Sequence, residues 1–237
     1  MHPVGLVNTG NSCFKNAVEQ VVLAAGNRAL VTLYRRVAPT ILNDGGQHDA
    51  HEYLTEVLDQ IADRTNEESF RRNFEGEYTT TINYACGHTS ERGEPFRILS
   101  LPVAGTMEDM VKVFEKSEAI PTAHCDECGR DGTARKKMSI ATLPKFTIVH
   151  LQRFNNAAYK RRDKVDMPLS WTHMRGMESD YNCFGIVVHN GSTRRGHYVA
   201  CVHYDGAWFL CDDEKTPAPV DVRTLLPHAY MLFYRRA

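Results

Sequence analysis

The amino-acid sequence predicts an α+β protein in which a helical first part packs against a later, mostly antiparallel β-sheet. Apolar residues recur at helical spacing up to about residue 62. After about residue 75 the chain changes to short runs rich in β-branched and aromatic residues. With 237 residues, 42% of them hydrophobic and 24% charged, it can bury one full core, read as a single domain over residues 1 to 237 with a cleft between its lobes.

Residues 13 to 25 place Phe14, Val18, Val21, Val22 and Ala25 on one helical stripe, opened by the cap-forming pair Asn11-Ser12 and closed by Gly26. Residues 50 to 62 repeat the pattern with Leu54, Val57, Leu58 and Ile61, and a shorter helix from Met107 to Lys116 takes Thr106 as its cap. Strands are predicted over 78 to 84, 146 to 154, 184 to 189, 198 to 204 and 208 to 211.

No run is long and apolar enough to cross a bilayer, and no charged start followed by an apolar stretch reads as a secretory signal. A net charge of −1 gives no reason to expect nucleic acid or an anionic membrane. The basic clusters at Arg35-Arg36, 135 to 137 and 160 to 164 read as solvated surface. Seven cysteines, mostly far apart, argue against a disulfide framework and for a reducing compartment, cytoplasmic or nuclear. Free thiols leave two tasks open, metal ligand and nucleophile.

Cys13 falls in the first turn of the first helix, where unpaired amides and the helix dipole favour a thiolate. The preceding turn, residues 5 to 12, brings Asn8 near the sulfur. Its amide either donates to a developing oxyanion or bonds its own backbone as a turn residue. The base is chosen from eleven histidines by register. Asp205-Gly206 between two strand-like runs predicts a two-residue hairpin pairing Tyr204 with Ala207, and hence Val199 with Asp212. His197 and Asp212 then share a face as diagonal neighbours, within reach of a hydrogen bond, whereas Asp213 points to the opposite face. His189, at the other end of the loop from Asn190 to Gly196, is the rival base. Cys13, His197 and Asp212 form a nucleophile, base and orienter.

The motifs say more. Gly5-Leu6-x-Asn8-x-Gly10-Asn11-x-Cys13-Phe14-x-Asn16-x3-Gln20 resembles the cysteine box of ubiquitin-specific proteases. Gly191-x4-Gly196-His197-Tyr198-x-Ala200, followed by Trp208-x3-Asp212-Asp213, resembles their histidine box. Residues 47 to 54 resemble the family's Gln-Gln-Asp-Ala segment, and residues 143 to 154 the strand that closes its palm. The resemblance implies a papain-like hand, with a helical thumb (1 to 74), short β fingers (mainly 75 to 140) and an antiparallel β palm (141 to 237). It also implies hydrolysis of the peptide or isopeptide bond after a ubiquitin C-terminus, with an oxyanion donor at Asn8 and no cofactor in catalysis. Ubiquitin or ubiquitinated proteins are the implied partners. Asp49 and Glu52 then meet the arginines of the ubiquitin tail, although Asp49-x-x-Glu52 also reads as a capping box. Tyr198 either walls the channel for the Gly-Gly tail or packs the core. The segment between Cys13 and Gln47 and the fingers are shorter than usual in the family, so the ubiquitin-gripping surface is reduced.

Cys125-x2-Cys128-Gly129 is a metal knuckle, and Cys86-Gly87 resembles half of a second one, implying a structural zinc. The cysteine that the family places three residues before Cys86 is here Asn83, which leaves His88, His124 or no residue as fourth ligand. Two further activities fit the motifs: a papain-like protease acting on another ubiquitin-like modifier or a polyprotein site, and an inactive ubiquitin-binding module. The chain begins almost at the cysteine box, which suits a domain cut from a longer protein.

Overall fold

The computed structural model describes residues 2–154, 159–172, 179–192 and 195–237. Four helices come first: α1 (Cys13–Ala24), α2 (Arg28–Val37), α3 (Ala50–Ala62) and α4 (Glu67–Phe74). α1 and α3 match the periodicity. α2 and α4 are additional, the first burying Leu30, Tyr34 and Val37 and the second only Phe70 and Phe74. Each begins at an asparagine whose side chain caps a free amide, Asn27 for Leu30 and Asn66 for Ser69, both at 3.1 Å. The predicted Ser12 cap does not form. Ser12 Oγ instead accepts from the Thr9 amide at 3.0 Å, and Asn8 Oδ1 takes up the amides of Gly10 and Ser12.

The strands and remaining helix follow as β1 (Gly76–Tyr84), β2 (Thr89–Phe96), β3 (Ile98–Pro102), α5 (Met107–Phe114), β4 (Glu118–Cys125), β5 (Arg130–Thr142) and β6 (Phe146–Gln152). Then come β7 (Ser170–Trp171), β8 (Tyr181–Gly191), β9 (Gly196–Tyr204), β10 (Ala207–Cys211), β11 (Ala218–Pro219) and β12 (Ala229–Arg236). β2, β1, β5 and β4 form a small antiparallel sheet. The larger sheet runs β11-β10-β9-β8-β12-β6-β3, with β7 added to β8, and is antiparallel apart from the parallel pair β3 and β6. Within residues 75 to 140, β3 and its packing partner α5 therefore lie with the larger sheet.

The large sheet is covered on both faces, which is why β8, β9 and β12 read as continuous apolar runs. Tyr198, Ala200 and Val202 alternate into the core beneath α1 to α4, while Val199 and Cys201 face Leu99, Met107 and Met110. α1 lies directly on β8 and β9. Gly185 permits that approach, because a Cβ there would stand 2.5 Å from Val21 Cγ1. The β9–β10 turn at Asp205-Gly206 has both φ values positive, at 47° and 84°, as a primed two-residue turn requires. Pairing follows the predicted register from Tyr204↔Ala207 to Ala200↔Cys211, where the ladder stops. Among the described residues no helix is long and apolar enough to cross a membrane.

Candidate active site

Cys13 is the first residue of α1 and is only 5% exposed. Burial pushes its thiol pKa up, and the nearby Asp213 carboxylate adds to the rise. The amides of Tyr198, Phe14 and Cys13 itself point at the sulfur and favour the thiolate, but burial outweighs them. Burial thus opposes the thiolate that the helix start alone favours. The sulfur nonetheless lies against the backbone of Tyr198, next to His197 in β9.

His197 Nε2 stands 2.6 Å from Asp212 Oδ1. Asp212 Oδ2 accepts from Lys215 Nζ, also at 2.6 Å. Burial pulls the Asp212 carboxyl upward, but the hydrogen bonds of Lys215 and His197 outweigh it and hold the group below its usual range. With Nε2 engaged by Asp212, Nδ1 is the ring nitrogen left on the side of Asp213.

Asp213 departs from its predicted side. The β9–β10 ladder ends at Cys211, and Asp213 adopts a positive φ of 48°, so strand alternation no longer decides where it points. Its Oδ2 comes to 4.0 Å from His197 Nδ1. Both its oxygens are taken up, by Asn8 Nδ2 at 2.7 Å and Asn16 Nδ2 at 2.8 Å. Asn8 thus uses its oxygen in the turn and one amide hydrogen on Asp213, leaving its second amide hydrogen for a ligand.

Cys13 opens on a cleft of about 710 Å³ between the helices and the large sheet, lined also by Asp49, Glu52, His189, Gly196 and Tyr198, the last two flanking His197 in the chain. Asp49 is engaged internally at both oxygens. Oδ1 caps α3 through the His51 and Glu52 amides at 2.7 and 3.3 Å, and Oδ2 accepts from Tyr198 Oη at 2.9 Å and Tyr230 Oη at 2.7 Å. Tyr198 thereby joins β9 to the thumb while still facing the cleft. The rival base, His189, is buried, its ring 4.5 Å from that of Tyr198 and its Nδ1 3.0 Å from Lys160 Nζ. Burial, reinforced by Lys160, pushes its pKa down to about 4, which makes it a poor proton acceptor near neutrality. His150 bonds Ser100 and stacks on His51 with centroids 3.9 Å apart, a satisfied strand histidine.

On the small sheet, the sulfurs of Cys86, Cys125 and Cys128 all lie within 4.8 Å of one another, Cys86 and Cys125 at 3.5 Å. Three thiols at this spacing fit three corners of a zinc site. Asn83 Oδ1 accepts from Thr89 Oγ1 at 2.9 Å, His124 Nδ1 lies 2.9 Å from Asp131 Oδ1, and the His88 ring leans on Tyr84 with centroids 5.8 Å apart. Neither histidine joins the sulfurs to complete a group of close donors among the described residues.

The family model described as ubiquitin carboxyl-terminal hydrolase matches residues 25–234. The chain belongs to the ubiquitin carboxyl-terminal hydrolase family. Ubiquitin carboxyl-terminal hydrolase 4 of Saccharomyces cerevisiae is 29% identical over 201 residues, covering 69% of this chain and 22% of that protein. The probable ubiquitin carboxyl-terminal hydrolase 4 of Schizosaccharomyces pombe is 22% identical over 349 residues, covering 99% of this chain and 59% of its own. This member therefore spans less than two thirds of either relative. The second alignment is longer than the chain itself, so that relative carries segments lacking here, in keeping with a compact member. Among solved structures, the SAGA Ubp8/Sgf11/Sus1/Sgf73 DUB module bound to ubiquitin aldehyde aligns over 99% of this chain and 69% of the other, with TM-score 0.78 and 20% identity. A second structure of that module, bound to monoubiquitin, gives TM-score 0.80 at 21% identity over the same shares of the two chains. The fold is that of the ubiquitin carboxyl-terminal hydrolase catalytic domain, the papain-like α+β hand.

In this family member, sequence reasoning passed over Asn16, Lys215 and Tyr230. Asn16 lies in the cysteine box one turn beyond Cys13, a spacing that could have marked it. Tyr230 sits in a terminal apolar strand with nothing to set it apart from core.

Proposed function

We propose that the chain hydrolyses the peptide or isopeptide bond following the C-terminal glycine of ubiquitin, through a thioester on Cys13. The observation that carries this reading is the 2.6 Å bond between His197 Nε2 and Asp212, in a chain of this family whose Cys13 sulfur lies against the neighbouring Tyr198 amide.

Burial raises the Cys13 pKa and so opposes a free thiolate, which favours attack coupled to proton transfer. Cys13 sulfur adds to the carbonyl carbon while its proton passes to His197 Nδ1. Asp212 and, at longer range, Asp213 stabilise the imidazolium. The free amide hydrogen of Asn8 and the Cys13 amide face the developing oxyanion. His197 returns the proton to the leaving amine, then activates water to cleave the thioester and release the ubiquitin carboxylate. Each of these proton and charge transfers is assigned to a side chain or amide.

On this reading Tyr198, held by Asp49 and tilted against His189, walls the passage that admits an unbranched Gly-Gly tail. Glu52 on the cleft rim meets a tail arginine. Ubiquitin and ubiquitinated proteins are the partners, and a reducing cytosol or nucleus suits seven free cysteines. Cys86, Cys125 and Cys128 hold a zinc ion that fastens the small sheet.

A ubiquitin bearing a C-terminal electrophile tests the proposal. Mass spectrometry should find one adduct, on Cys13, and Cys13→Ala should abolish turnover while keeping the wild-type circular dichroism spectrum. Turnover persisting in that variant would overturn the assignment. Binding without an adduct indicates a ubiquitin-binding module, and reaction only with another modifier's probe moves the specificity there.

A further inference from the structure

The ring of His189 lies against both chain neighbours of His197. A Cβ at Gly196 would fall on His189 Nε2, so only glycine lets the ring lie beside the backbone just before the base. Just after it, the Tyr198 ring is tilted against the same imidazole, with centroids 4.5 Å apart. The ladder joins the same residues, with His189 opposite Tyr198, Asn190 opposite His197 and Gly191 opposite Gly196. The end of β8 that carries the ring lies past its last rung with β12, Ala229↔Val188. Lys160 secures it there. An ammonium has three donors and no acceptor, and Lys160 Nζ meets three acceptors: the His189 carbonyl at 2.5 Å, His189 Nδ1 at 3.0 Å and the Gly191 carbonyl at 3.3 Å. Phe154 closes the group, its ring centroid 5.7 Å from that ammonium and 5.3 Å from the His189 ring. Because the ammonium only donates, His189 Nδ1 is bare and the ring proton sits on Nε2, toward Gly196. Burial and the Lys160 charge, with a smaller push from His197, hold the ring uncharged against the pull of Asp49.

We propose that Lys160 and His189 are positioning residues for His197: the lysine locks the His189 ring in one tautomer, and the ring seats the two residues that flank the base. This rests on His197 being the base of the reaction proposed above. The pair acts through the backbone around His197, and so on the aim of the imidazole, where a small displacement slows the chemical step more than it weakens substrate binding. His189 lines the cleft and Lys160 does not, so Lys160 is the residue whose change leaves the ubiquitin passage itself intact.

Lys160→Met keeps the length of the side chain and removes its donors. With a fluorogenic ubiquitin substrate it should lower kcat about tenfold and leave KM within about twofold of wild type. Lys160→Arg, which again can only donate, should recover most of that loss. Long-range ¹H–¹⁵N NMR of the full wild-type chain at pH 7 should show His189 as the neutral Nε2–H tautomer, and Lys160→Met should show a mixture of the two neutral tautomers. An unchanged kcat, a loss confined to KM, or equal losses in the Met and Arg variants would overturn the proposal. Should Lys160→Met fail to fold, the wild-type spectrum decides: a protonated Nδ1 or an imidazolium at His189 would overturn the lock. A wild-type chain that binds ubiquitin without turnover would instead overturn the reaction and the catalytic role of the pair with it, while the His189 spectrum still reports whether Lys160 sets the tautomer.

Discussion

Asn8 donates through Nδ2 to Oδ2 of Asp213 at 2.7 Å, tying the turn before the nucleophile to the turn after the orienting carboxylate. Asn16 holds the other oxygen at 2.8 Å, and the Leu6 amide donates to the Asp213 carbonyl, also at 2.8 Å. Asp213 therefore sets the position of Asn8 while its charge opposes ionisation of Cys13. Asp213→Asn should separate these effects. Removing the negative charge lowers the Cys13 pKa, so the pH profile of alkylation by iodoacetamide moves to lower pH even as turnover falls with the misplaced Asn8. An alkylation profile unchanged from wild type would contradict this account of the charge.

Asp212→Asn should cost more in turnover than Asp213→Asn, about 10²–10⁴-fold, because it removes the carboxylate in direct contact with His197 and with it the tautomer control. Its alkylation profile should not show the downward move, since Asp213 is the carboxylate whose charge raises the Cys13 pKa. Steady-state hydrolysis of a fluorogenic ubiquitin substrate checks the order. Equal losses would mean that the 4.0 Å contact of Asp213 with His197 matters as much as the 2.6 Å contact of Asp212.

The legibility of these residues depended on whether a local pattern controlled them. The His197–Asp212 pair was readable because Asp205-Gly206 fixes a primed turn, and every rung back to Ala200↔Cys211 follows from it. Asp213 was not readable, because it lies beyond the last rung in a positive-φ turn set by contacts to Asn8 and Asn16, about 200 residues away in sequence. α1 and α3 announce themselves by broad apolar stripes. α4 buries only two phenylalanines, and β2 is a polar strand that takes its conformation from pairing with β1, so neither carries a pattern of its own. The raised Cys13 pKa was hidden for a similar reason. A helix start is local, whereas burial under β9 is a tertiary fact.

Asp49 and Glu52 separate on mutation. Asp49→Ala removes a helix cap, typically about 1 kcal/mol, and leaves the hydroxyls of Tyr198 and Tyr230 without their acceptor, at about 1–3 kcal/mol for an unsatisfied buried group. It should lower the melting temperature by several degrees and the turnover with it, since Tyr198 follows His197 in β9. Glu52→Ala, whose side chain faces the cleft, should leave melting within about a degree of wild type and raise KM for ubiquitin substrates. A melting loss confined to Glu52→Ala would reverse the two roles.

Acid sensitivity follows from the histidines kept neutral in the cleft. Burial, reinforced by the His51 ring and opposed by Asp49, pushes the His150 pKa down to about 3, while His189 stands at about 4. Both return to about 6.5 in the unfolded chain, which therefore binds more protons than the folded one below that pH. Their stabilising contribution is complete above about pH 6.5 and is lost as the pH falls through 4 toward 3. His150→Gln, which keeps a polar partner for Ser100 without the titration, should flatten the fall of melting temperature between pH 6.5 and 4 relative to wild type. Parallel curves for the two proteins would show that His150 does not contribute to the acid limb.

Gly185 connects packing to chemistry. An added Cβ would meet Val21 Cγ1 at 2.5 Å and Cγ2 at 3.1 Å, so Gly185→Ala must push α1 away from β8 or force Val21 off its rotamer, at about 1–3 kcal/mol. For a chain of this size each kcal/mol lowers melting by roughly 2–4 °C. The same displacement moves Cys13, two turns along α1, relative to the Tyr198 amide that faces its sulfur, so kcat should fall alongside stability. Val21→Ala makes room at the cost of a small cavity. The double variant Val21→Ala with Gly185→Ala should then lose less in melting temperature than the sum of the single losses, and should recover part of the kcat lost by Gly185→Ala. Strict additivity of the two substitutions would place the strain elsewhere and remove the link between this contact and the nucleophile.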